Sequence, residues 1–131
     1  MTASGKQILV VDDDRTMRET LGEVLTDEGY DVETAADGHE ALQRLRERPA
    51  DLVILDLMMP VMDAFAFRSE LARRGPLDGC AVLVVSAAPN LEQAVRRLDA
   101  TDAIAKPFRL DVLLDRVEEL LASPRNGDSK S

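Results

Sequence analysis

Asp12-Asp13-Asp14, Asp56, Ser86 and Lys106 each end or directly follow a short β-rich or apolar run. Taken singly, each has an ordinary explanation. A carboxylate after a strand can cap the next helix, the role expected of Asp14 ahead of Thr16–Glu28, and Ser86 could cap as well. A lone lysine is normally solvated surface. Gathered at one place, the same residues would do chemistry. Three close carboxylates repel one another until a cation joins them. Octahedral Mg²⁺ suits such an all-oxygen site and keeps several waters. A lysine adds one more positive charge, and a serine hydroxyl can bond a phosphoryl oxygen. That set is suited to phosphoryl transfer onto a nucleophilic carboxylate.

Whether the residues meet depends on the elements that carry them. Gln7–Val11 is β-rich, and Thr16–Glu28 then places Met17, Leu21, Val24 and Leu25 on one helical face before Gly29 stops it. Asp31–Ala35 reads as a strand, and Ala41, Leu42 and Leu45 mark a helix ending before Pro49. Leu52–Leu55 is wholly apolar, as a strand covered on both faces should be. A helix around Phe65–Arg73, a strand at Ala81–Val85, a helix at Leu91–Leu98 and a strand at Thr101–Ala105 follow. The last helix carries Leu110, Leu113, Leu114, Val117, Leu120 and Leu121 on a broad apolar stripe. This alternation predicts an α/β flavodoxin-like doubly wound (βα)5 three-layer sandwich with a five-stranded parallel sheet, order 2-1-3-4-5. Ligands of such sheets gather outside the carboxyl ends of the strands, which is where all four positions fall. One domain over residues 6–122 and a polar C-terminal tail over 123–131 are expected.

The bulk composition narrows the classes. At 45% hydrophobic and 31% charged, the 131 residues are those of a globular chain. No apolar run is long enough to span a bilayer, and Met1–Gln7 lacks the apolar stretch of a signal peptide, so a cytoplasmic location is expected. A net charge of −9 argues against direct nucleic-acid binding. Cys80, the sole cysteine, has no disulfide partner, and nothing links it to the single histidine, His39, so it reads as a small buried residue.

The strings Ile8-Leu-Val-Val-Asp-Asp-Asp, Leu52-Val-Ile-Leu-Asp-Leu-Met-Met-Pro-Val-Met-Asp, Val82-Leu-Val-Val-Ser-Ala and Lys106-Pro-Phe together resemble the receiver domain of bacterial two-component response regulators. The resemblance runs from about Lys6 to Ala122. It implies that Asp56 is the phosphoacceptor and that Asp12 and Asp13 form the acidic pair for Mg²⁺ or Mn²⁺. Asp13 and Asp56 would be direct ligands, Asp12 would act partly through water, and the backbone carbonyl of Met58 would complete the protein's share. Ser86 would bond a phosphoryl oxygen and Lys106 would pair with the acyl phosphate. The donor would be a sensor histidine kinase or a histidine phosphotransfer protein. The output would be a downstream protein or a fused output domain, without membrane or nucleic-acid contact. Such a domain is a signalling phosphoacceptor rather than an enzyme, with only self-phosphorylation and self-dephosphorylation chemistry.

Three positions depart from that pattern. Ala64 and Asp99 stand where the family usually has glycine, and Ala103 stands where it usually has an aromatic ring that changes rotamer on activation. Signal would then leave through backbone movement of the Ser86–Asn90 loop and the Leu91–Leu98 helix. The family's usual output face would present Arg96, Arg97 and Arg109, which could equally be solvated surface. Three rivals compete. A haloacid-dehalogenase-type phosphohydrolase would use Asp12 as nucleophile, but it lacks a later strand-end acidic pair and leaves Asp56 unexplained. A flavin mononucleotide binder lacks a phosphate loop. A non-phosphorylated pseudo-receiver would have no use for the complete acidic set.

Overall fold

The computed structural model describes residues 6–56, 69, 80–87, 91–98 and 100–122. Met58, Ala64, Asp99 and the expected tail lie outside these residues. So does the expected helix around Phe65–Arg73, except for helical Ser69.

Five strands form one parallel sheet: β1 (Gln7–Val11), β2 (Asp31–Ala35), β3 (Leu52–Leu55), β4 (Ala81–Ser86) and β5 (Asp102–Ala105). Their order is β2-β1-β3-β4-β5, as the alternation predicts. The described helices are α1 (Arg15–Asp27), α2 (Gly38–Glu47), α3 (Leu91–Leu98) and α4 (Leu110–Ala122). Alternation along each strand divides the core into two layers. Ile8, Val10, Ile54, Leu83 and Val85 pack with Leu21 and Leu25 of α1 and Leu113 and Val117 of α4. Leu9, Val11, Val53, Leu55, Val82 and Val84 pack with Ala41 and Leu42 of α2, with Leu91 of α3 against them. β3 and β4 are buried along their whole lengths, which accounts for their unbroken apolar runs. Removing Leu55, which is fully buried, to alanine is expected to cost about 3 kcal/mol.

Helix ends follow local chemistry. The Asp14 side chain caps α1 by accepting from the N–H groups of Thr16 and Met17 at 3.0 and 3.4 Å. At the other end, Gly29 adopts φ 99°, a conformation costly for residues with a Cβ, and the chain turns into β2. Asp37 caps α2 through the N–H of Glu40, whose carboxylate accepts from the N–H of Ala36. In α4, Leu113 and Val117 are fully buried, whereas Leu110 stays 39% exposed. Cys80 is half-buried against the α2 and α3 layer.

Candidate functional site

Sheet register assembles the site before any side chain is considered. Val11 of β1 pairs with Ala35 of β2 and Leu55 of β3, so Asp12 and Asp56 each follow the same rung of adjacent strands. Main-chain bonds carry the ladder one residue further: Asp12 N–H donates to Ala35 O at 3.1 Å and Asp56 N–H to Val11 O at 3.0 Å. On the other side, Ser86 pairs with Ala105, and Lys106 N–H donates to Ser86 O at 2.9 Å. Lys106 precedes Pro107 through a cis peptide bond.

Carboxylate oxygens of Asp12, Asp13 and Asp56 lie within 4.8 Å of one another. Asp12 and Asp56 are buried, and Asp13 is exposed at the rim. The Lys106 ammonium donates to Asp12 Oδ2 at 3.0 Å and stands 3.7 Å from Asp56 Oδ2. Burial works against that ammonium. The hydrogen bond to Asp12 and the charges of Asp12, Asp56 and Asp14 outweigh it, so its pKa lies above the ordinary lysine value. Lys106 therefore stays charged at neutral pH. Three carboxylates thus cluster beside the Lys106 ammonium, and an oxygen-seeking divalent cation fits that donor set.

Of the sequence-predicted residues, Asp12, Asp13, Asp56 and Lys106 come together through their side chains. Ser86 is fully buried at the end of β4 and joins the group through its main-chain carbonyl. Met58 lies outside the described residues. Asp14 points into its own helix, as expected of a cap. Both oxygens of Asp12 are engaged, Oδ1 by the N–H of Asp14 at 2.9 Å and Oδ2 by Lys106. That leaves Asp12 poorly disposed as the dehalogenase-type nucleophile.

One participant escaped the sequence reading. Arg18, on the first turns of α1, donates from Nη1 to the main-chain carbonyl of Asp12 at 2.9 Å. Its place four residues after the helix cap was the available signal, since that spacing returns a side chain to the cap's side of the helix. Ala103 is half-buried with Leu91 and Ala100 against the core. None of the described helices is long and apolar enough to cross a membrane.

The model of the response regulator receiver domain family matches residues 8–118. Response regulator MprA of Mycolicibacterium vanbaalenii is 41% identical over 129 residues, covering 95% of this chain and 55% of that protein. MprA of Mycobacterium tuberculosis is 41% identical over 125 residues, covering 94% of this chain and 54% of that protein. The chain thus spans about half the length of these curated relatives. Among solved structures, chemotaxis protein CheY4 of Vibrio cholerae matches with TM-score 0.81 at 33% identity, covering 88% of this chain and 98% of that one. Response regulator TrrA of Thermotoga maritima, solved in complex with Mg²⁺-BeF, matches with TM-score 0.77 at 34% identity, covering 88% of this chain and 99% of that one. Because the family match runs from the first strand into the last helix and takes in every residue of the acidic edge, this chain belongs to the receiver domains of two-component response regulators.

Proposed function

We propose that Asp56 is the phosphoacceptor of this receiver and that Asp12, Asp13 and Asp56, with the carbonyl of Met58, hold Mg²⁺ or Mn²⁺ beside it. The observation that carries the reading is the acidic trio within 4.8 Å, with Lys106 3.7 Å from the Asp56 carboxylate. A bound divalent cation would neutralise charge on the carboxylates and on phosphoryl oxygens. An Asp56 oxygen attacks the phosphorus of a phosphohistidine donor, forming a P–O bond. The P–N bond breaks, and its electron pair remains on the imidazole nitrogen. Lys106, already protonated, keeps its proton and balances the growing negative charge at Asp56. Ser86 supplies a hydroxyl to a phosphoryl oxygen, a role that its burial makes dependent on movement at the end of β4.

The phosphoacceptor unit spans residues 6–122. Its donor is a sensor histidine kinase or histidine phosphotransfer protein in the cytoplasm, and its output passes to another protein or to a fused domain. With Ala103 offering only a methyl group, output relies on displacement of backbone after Ser86 and of α3, driven by contacts that exist only with the phosphoryl group. The test is intact mass after incubation with Mg²⁺ and a small phosphodonor, followed by fragment mapping. The expected result is one added phosphoryl group on Asp56, lost in Asp56→Ala. A label on Asp12 or Asp14 overturns the assignment.

A further inference from the structure

We infer that Arg18 is a positioning residue that fixes the peptide between Asp12 and Asp13 and thereby sets how Asp13 meets a divalent cation, an inference resting on the receiver reading above. The carbonyl of Asp12 and the N–H of Asp13 belong to one planar unit, so fixing one fixes the other. Arg18 Nη1 donates to that carbonyl at 2.9 Å. On its other side, Asp12 is tied by its N–H to Ala35 O at 3.1 Å. The Asp12 side chain is held independently, by the Asp14 N–H at 2.9 Å and Lys106 at 3.0 Å. Asp13 differs: it is exposed at the rim, and the orientation of its peptide sets where its side chain leaves the backbone.

The choice of partner is informative. Arg18 lines a groove between α1, β2 and α2 in which Glu19, Glu23 and Glu33 also stand. Its hydrogen bond nevertheless goes to a main-chain carbonyl at the site. A charged donor on a carbonyl makes a stronger bond than a neutral one, and a half-buried stem narrows its choice of rotamers. Groups that orient ligands without touching the metal typically change its affinity by 10- to 100-fold when removed, on the order expected here.

The experiment compares wild type, Arg18→Met and Arg18→Lys as full chains. It measures Mg²⁺ affinity by calorimetry, the Asp13 amide by NMR without metal, and Asp56 labelling across Mg²⁺ concentrations. Arg18→Met is expected to bind Mg²⁺ about tenfold more weakly. It should also shift the metal-free Asp13 amide while leaving sheet amides in place, and label normally at saturating Mg²⁺. Arg18→Lys, which keeps a charged donor, should recover part of the affinity. Affinity within twofold of wild type in Arg18→Met overturns the inference. So does a weakening with an unmoved Asp13 amide, which would put the cause outside the Asp12–Asp13 peptide, since loss of the positive charge alone would tighten Mg²⁺ binding. Should Arg18→Met prove too unstable to titrate, Arg18→Gln replaces it under the same two criteria. Wild type that takes no label at Asp56 refutes the receiver reading itself, whereas labelled wild type with an indifferent Arg18 refutes only this inference.

Discussion

At the amino edge of the sheet, Arg48 reaches Asp31, Glu33 at 3.1 Å and Gln7 Oε1 at 2.9 Å. Gln7 in turn donates from its side chain to Asp31 and from its main chain to Asp51, each at 2.8 Å. At the carboxyl edge, three carboxylates within 4.8 Å face Lys106. Both edges are acidic, yet they are built to different ends. Around Arg48 each carboxylate has donors supplied by the chain itself. Hydrogen bonds from Gln7 and then Arg48 hold the Asp31 carboxyl below its usual value, against an opposing effect of desolvation. Around Asp56 the carboxylates cluster with one another, and two of the three are buried. Acids paired within the chain fasten a fold, whereas a cluster of acids at the carboxyl ends of a parallel sheet is suited to a cation.

Breaking this contrast should have its largest effect at Lys106. Lys106→Met leaves buried Asp12 and Asp56 without their cation and should cost about 2 kcal/mol in metal-free protein. That is below the figure for a fully buried pair, because 19% of the lysine side chain faces solvent. Urea denaturation with and without Mg²⁺ checks it, and the loss should shrink when metal is added. The sign of the pH dependence follows from the raised pKa. The stabilisation is complete at neutral pH, below the ordinary lysine value, and disappears only as pH rises through the raised value.

Asp14→Ala comes next, at about 1 kcal/mol, the usual cost of losing a helix cap. Unlike changes at Asp12 or Asp13, it should leave Mg²⁺ affinity within twofold of wild type. A larger change in calorimetric affinity would move Asp14 from cap to site. Asp31→Asn at the amino edge should have the smallest effect, a slight fall in melting temperature that salt further reduces. Folding lowers the Asp31 pKa, so its contribution exists above the ordinary carboxylate range and fades as pH falls through the folded value. Melting the variant beside wild type at neutral and acid pH reads that convergence directly.

Much of this contrast was legible in the sequence where information is local. Apolar runs located β3 and β4 because both faces of those strands are covered. Gly29 located the end of α1, and Asp14 announced its cap. The four strand-end residues could be grouped because parallel topology sends them to one edge. The arginines could not be read the same way. Arg48 joins residues 41 and 17 positions away, Gln7 and Asp31, and its destination depends on tertiary packing rather than on periodicity. Arg18 is closer to its target, but its groove offers several carboxylates, and the sequence does not say which acceptor wins. The exposure of Leu110 likewise departs from the apolar stripe on which it lies.

The difference between the two edges is tested most directly by thermal melts of wild type, Asp13→Asn and Asp31→Asn across a Mg²⁺ titration. Wild type and Asp31→Asn should both rise in melting temperature as Mg²⁺ is added, by equal amounts. Asp13→Asn should start higher than wild type without metal, because one repelling charge is gone, and should gain little from Mg²⁺. An equal rise in all three proteins, or no rise in wild type, would contradict the claim that the clustered acids of the carboxyl edge are suited to a cation.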